Sequence, residues 1–172
     1  ASQVEAGVPF SAAVREARAR GYTEPDPRDD LSAADVRRKA LILARLLRLP
    51  LSWDDVPTES LYPAAWDSLS IEEFMARLPD LDQALAERMG TAQAAGGTLR
   101  YTVEIVGERC RASLQQVPKD SPLGTLQGPN CLLAVYTDRY SPAPLVISGP
   151  GAGPQVTAAG VYADIIALGM EL

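Results

Sequence analysis

The sequence predicts an α+β fold: a mixed or largely antiparallel sheet covered by helices on one face. Three observations point there. Apolar residues recur at helical spacing through the first half of the chain, the spacing changes to alternation beyond Gly96-Gly97, and no segment repeats, so helices precede strands instead of alternating with them. The 172 residues match one domain, taken here as 1–172, and the 47% hydrophobic, 22% charged composition is that of ordinary globular proteins. A chain of this size buries about 70% of its unfolded surface, enough to fold without a disulfide or a metal.

Taken in order, Ser11–Arg20 sets Ala12, Val14, Ala17 and Ala19 against arginines and a glutamate, and Gly21 ends the helix. Tyr22–Asp30 (YTEPDPRDD) is expected to be a stiff acidic loop, because Pro25 and Pro27 each remove a donor and restrict the preceding residue. A helix follows over Ala33 to about Leu47, with Ser32 and Asp35 resembling a shortened capping box. Leu51–Ser68 is irregular, and its Trp53 and Trp66 read as core anchors. Ser70–Leu78 and Leu81–Ala95 are helical, divided by Pro79. Thr98–Ile105 and Cys110–Val117 alternate as an antiparallel hairpin, and Asn130–Thr137 and Leu145–Ser148 form two more strands around Ser141-Pro142. The glycine-rich GPGAGP leads into a final amphipathic helix, about Gln155–Leu168.

Composition removes several chemistries. The chain holds no histidine, so neither a Ser-His-Asp triad nor an imidazole zinc site is available. Cys110 and Cys131 are too few for a disulfide framework and read as buried apolar positions without a nucleophilic role. A net charge of −6 without a basic cluster argues against nucleic acid as a partner. Apolar runs fall short of the roughly 20 residues that span a bilayer, so no membrane partner and a cytoplasmic location are expected. Ala1–Gly7 reads as the inside of a helix, and hence as part of a longer polypeptide.

Two stretches could carry chemistry. Tyr22–Lys39 places Glu24, Asp26, Asp29 and Asp30 on a proline-stiffened loop that runs into a helix, on which Asp35 and Lys39 share a face four residues apart. A lysine held beside a carboxylate suits proton transfer; the same spacing also describes an ordinary surface ion pair, with Asp29 and Asp30 complementing the helix dipole. The acidic set could bind a divalent cation, although Arg28 and the two prolines favour organic-cation or ion-pair use. The second stretch is Gly149–Pro154, where glycines permit close backbone approach to a nucleotide or simply make a tight turn; Pro154 stands where a GxGxxG fingerprint needs its last glycine.

The sequence resembles the substrate-binding half of homoserine dehydrogenases in four stretches: GYTEPDPRDDLSAADVRRK (Gly21–Lys39), RLPDLDQALAERM (Arg77–Met89), GPNCLLAVYTDRYSPAPLVISGPGAG (Gly128–Gly153) and VTAAGVYADII (Val156–Ile166). The resemblance implies NAD- or NADP-dependent interconversion of L-homoserine and L-aspartate 4-semialdehyde, in threonine, methionine and isoleucine biosynthesis. By position, Lys39 would be the general acid/base, with Asp35 and Glu24 as substrate-binding carboxylates and Asp30 and Tyr22 as neighbouring pocket residues. Gly153, with Gly151 beside it, would approach the nicotinamide nucleotide, and the last helix would return to the cofactor domain. That domain, with its own active-site lysine and the family's monovalent-cation site, lies upstream of the matched region, so this chain alone is expected to be inactive; no metal ligand is expected within it. Where many relatives have glycine this chain has Ala33, and Arg37 replaces a small residue. The resemblance further implies a homodimer and is nearest to enzymes fused behind an aspartokinase. A reading of a different class is a non-catalytic dimerisation or regulatory module that kept the fold.

Overall fold

Helix gives way to strand where the hydrophobic period changes. Helix α6 (Asp82–Ala94) ends just before strand β1 (Gly97–Val106), and Gly96 turns the chain between them at φ +72°. Gly97 must be glycine for a different reason: a Cβ there would lie 2.7 Å from the Val117 carbonyl oxygen. β1 pairs antiparallel with β2 (Arg109–Pro118), Gly97 opposite Pro118 and Val106 opposite Arg109, as the alternation predicts. The computed structural model describes residues 2–128, 130–151 and 153–170, which divide into two units, Ala1–Pro118 and Lys119–Leu172.

In the first unit, helices α1 (Ser2–Glu5), α2 (Phe10–Ala19), α3 (Arg28–Leu31), α4 (Ala34–Leu46), α5 (Ile71–Arg77) and α6 precede the hairpin. One cluster gathers Val14 of α2, Tyr62, Trp66, Phe74 and Leu78, with Phe74 and Leu78 fully buried. Tyr62 and Trp66 each meet the Phe74 ring edge to face, at centroid separations of 5.0 and 5.9 Å. A second cluster seats α4 on the hairpin through Ala40, Leu41, Val56 and Cys110, and a third packs Met89 and Ala92 of α6 against Leu99. The α+β expectation, with helices laid on an antiparallel hairpin, holds.

Local details of this unit differ from the sequence reading. Arg28–Leu31 is not loop but one helical turn, because Pro27 already holds φ −62° at its start and Asp29 and Asp30 favour its N-terminus. Ser32 therefore ends α3 instead of capping α4, whose N-cap is Ala33 without a side-chain bond. The capping box forms elsewhere, at Ser70 and Glu73 on α5, where the hydroxyl accepts from the Glu73 N–H at 3.2 Å and the Glu73 carboxylate accepts from the Ser70 N–H at 2.9 Å. In the irregular Leu51–Ser68 segment, Thr58 bridges Ala112 in parallel, and the Glu59 carboxylate accepts from the Leu114 N–H at 3.0 Å and from Arg88 Nη1 at 2.6 Å. Trp66 is buried as expected, while Trp53 stays 40% exposed beneath the Arg37 guanidinium, 4.4 Å from the ring centroid.

Ala33 sits at φ 65°, in the left-handed region where a Cβ is strained, and it is nearly fully buried. This explains why glycine suits the position, since the turn from α3 into α4 needs it. Ala33→Gly should raise the unfolding free energy by up to about 1 kcal/mol, the lost methyl offsetting part of the relieved strain. Urea titration measures this, and a destabilised variant would show that the methyl contact outweighs the strain.

In the second unit, β3 (Asn130–Val135) pairs antiparallel with β4 (Leu145–Pro150), and α7 (Pro154–Met170) follows. Cys131 is exposed, contrary to the expected burial, although Cys110 is buried. The Cys131 side chain lies over Gly151, where a Cβ would overlap Sγ. α7 is not amphipathic: Val156, Val161, Tyr162, Ile165, Ile166 and Leu168 are all exposed, and only Asp164 is charged. No helix among the described residues is long and apolar enough to cross a membrane.

Candidate active site

The site grows from the segment that joins α2 to α4. α2 closes in a Schellman arrangement, with Gly21 at φ +70° and the Tyr22 N–H on the Ala17 carbonyl at 2.9 Å. The acidic loop then folds onto itself: the Glu24 N–H donates to Asp30 Oδ2 at 3.0 Å, and Pro27 is fully buried beneath. α3 and α4 carry the chain on, so that Glu24, Asp29, Asp30 and Asp35 line one cleft of about 300 Å³, together with Arg38. On α4 the Lys39 ammonium meets Asp35 Oδ2 at 2.6 Å, both side chains more than half exposed.

Three of the anticipated carboxylates thus share a cleft, and Lys39 joins them through Asp35. Tyr22 is 74% exposed and is not among the lining residues. Arg37 packs on Trp53 instead of lining the cleft. Gly151 and Gly153 stand in the second unit, at the junction of β4 and α7. Gly153 has φ +129° and open space where a Cβ would be, whereas Gly151 is required by Cys131. A wider depression of about 500 Å³ in that unit is lined by Tyr136, Thr137, Asp138 and Ser141, with no lysine or arginine among them.

Arg38 is the lining residue that the sequence reading overlooked. Its signal was the α4 register: three residues after Asp35 it falls on the same side of the helix. It gives a ring of carboxylates one facing cation, so the cleft can take a small zwitterion with its ammonium end among the acids.

Asp26 takes no part in that lining. Its carboxyl is held below its usual value, chiefly by hydrogen bonds from the Arg28 guanidinium and against the effect of its burial. A depressed folded value contributes stability that is fully present above the unfolded value of about 4 and lost as pH falls through the folded one. Unfolding free energy should therefore drop as the solution is acidified below about pH 4, and Asp26→Asn should flatten that limb. An acid limb that the substitution leaves unchanged would mean Asp26 binds its proton equally in both states. Near the same core, burial and the Asp67 carboxylate that it donates to at 2.9 Å push the Tyr62 hydroxyl up to about 12.

A homoserine dehydrogenase family model matches residues 1–166. The chain belongs to the homoserine dehydrogenase family. It is 45% identical over 166 residues to the maize chloroplastic bifunctional aspartokinase/homoserine dehydrogenase 1, covering 95% of this chain and 18% of that protein. With the homoserine dehydrogenase of Emericella nidulans it shares 45% identity over 165 residues, covering 91% of this chain and 45% of the other. The chain thus spans about a fifth of such bifunctional relatives and under half of the shorter enzymes. Among solved structures, a Candida auris protein of unknown function matches at TM-score 0.86 and 36% identity, covering 93% of this chain and 46% of that one. The S. aureus homoserine dehydrogenase at pH 6.5 shares the fold at TM-score 0.67 and 19% identity, over 95% of this chain and 37% of its own. The α+β architecture of this homoserine dehydrogenase domain, closing on a C-terminal helix, is that of the family.

Proposed function

We propose that the chain is the substrate-binding and dimerisation half of an NAD- or NADP-dependent oxidoreductase that interconverts L-homoserine and L-aspartate 4-semialdehyde. The observation that carries this reading is the single cleft that gathers Glu24, Asp30 and Asp35 with Lys39 bonded to Asp35. A substrate α-ammonium needs carboxylates held in place, and the self-closed Pro25–Pro27 loop provides them without ordering cost at binding.

A bound NAD(P), with Gly153 on the side this chain would offer it, would supply the hydride chemistry at the homoserine carbinol carbon. Lys39 handles the accompanying proton: its neutral amine takes the hydroxyl proton in oxidation, and its ammonium donates one to the carbonyl oxygen in reduction. An ammonium has three N–H donors, so one bond to Asp35 leaves two for the reacting oxygen and its surroundings. Asp35 orients Lys39, whose ammonium stabilises the negative charge that develops on that oxygen in reduction. Gly153 fits the cofactor side, since its open backbone lets a nucleotide approach closely. The wider reading is a cytoplasmic homodimer in threonine, methionine and isoleucine biosynthesis, continuous with an upstream nucleotide-binding domain and inactive without it.

The test joins this chain to the nucleotide-binding half of a homoserine dehydrogenase and follows homoserine-dependent reduction of NADP and of NAD. Saturable turnover with at least one of them is expected. A folded protein that binds either nucleotide and turns over no homoserine would sink the enzyme reading in favour of a dimerisation module.

A further inference from the structure

Arg28 is absent from the cleft lining, yet it is densely bonded just beneath it. Its backbone N–H donates to Asp26 Oδ1 at 3.0 Å, Nε to Oδ1 and Oδ2 at 3.0 Å each, and Nη2 to Oδ2 at 2.6 Å. On its other edge Nη1 donates to the carbonyls of Asp67 at 3.0 Å and Leu69 at 2.7 Å, with Trp66 at 3.4 Å. The guanidinium also lies 5.6 Å from the centroid of the fully buried Phe74 ring. One planar group therefore grips the inside of the acidic loop with one edge and the 66–69 segment with the other.

We propose that Arg28 is a positioning residue for the ammonium-binding end of the cleft, setting Glu24 and Asp30 through the loop that it anchors and touching no substrate itself. This rests on the homoserine reading above. The linkage is short. The Glu24 N–H is held by Asp30, the Asp29 N–H by the Asp26 carbonyl at 3.1 Å, and Asp26 by Arg28. The far end of α3 is fixed separately, its Leu31 carbonyl accepting from the Leu61 N–H at 3.0 Å. Asp35 and Lys39 ride on α4, which Ala40 and Leu41 seat on the hairpin by a different core. Loosening Arg28 thus moves the groups that bind substrate and spares the group that transfers the proton.

Lysine cannot replace this group, because a point ammonium lacks the fork needed to hold a carboxylate and three carbonyls at once. The test uses the chain joined to a nucleotide-binding half, with Arg28→Lys and Asp26→Asn compared with the parent. Arg28→Lys should raise the homoserine KM by roughly tenfold to a hundredfold, leaving kcat and the nucleotide KM within about threefold. Asp26→Asn, which keeps the carbonyl bonds, should raise the homoserine KM by less. An active parent with unchanged homoserine KM in both variants overturns the proposal alone. So does a loss shared equally by kcat, both KM values and Tm, the signature of a merely structural arginine. A parent that binds nucleotide and turns over no homoserine removes the reading beneath it, and the proposal falls with it.

Discussion

Lys39→Ala in the nucleotide-completed protein is expected to lower kcat by roughly 10²–10⁴-fold, the range that a positioned general acid or base contributes. The homoserine KM should change far less, because in the proposed reading Glu24 and Asp30 remain to hold the substrate's ammonium. Stability should barely move. The Lys39 and Asp35 side chains are 59% and 53% exposed, and an exposed i,i+4 pair contributes only about 0.3–0.5 kcal/mol. Turnover measured beside thermal unfolding therefore separates chemistry from folding. Retained kcat in the alanine variant would reduce Asp35–Lys39 to the ordinary surface ion pair that its spacing equally describes, and would pass the proton-transfer role to another group.

What could be read from the sequence followed from where local physics decides the outcome. Periodicity and the breakers Gly21, Pro79 and Gly96-Gly97 placed α2, α4, α6 and the β1–β2 hairpin, since burial of one face and loss of a donor act within a few residues. The acidic grouping was legible for the same reason, whereas the roles within it came only from the family resemblance, and Asp26 of the same loop turns to Arg28 instead of the cleft. The misreadings arose where a residue answers to distant partners. Pro27 looked like a breaker, yet its fixed φ starts α3. Ser32 had the chemistry of an N-cap, but Ala33 in the left-handed region takes that place. The edge of the Arg28 guanidinium that meets the 66–69 segment could not be foreseen, because the carbonyls of Asp67 and Leu69 lie about forty residues away. The spacing of Val156, Val161 and Ile165 fits one apolar face of α7 as well as an apolar surface all round it, and in the structure the exposed apolar residues surround the helix.

Phe74→Ala should produce the largest loss of stability in the first unit, about 3–5 kcal/mol, as expected for removing a fully buried aromatic ring. The effect has three parts. Transfer of the ring out of water is lost, a cavity opens between Tyr62, Trp66 and Leu78, and the two edge-to-face contacts disappear. The Arg28 guanidinium also loses the ring beneath it, so the clamp on the acidic loop weakens together with the core. Phe74→Leu refills much of the volume but restores neither the ring faces nor the cation–π contact, and it should cost less than the alanine variant. If the leucine variant recovers stability and still raises the homoserine KM, the ring acts on the loop through Arg28 as well as filling space. A change below about 1 kcal/mol for Phe74→Ala would contradict the buried aromatic cluster itself, since partial collapse does not erase the cost of so large a cavity.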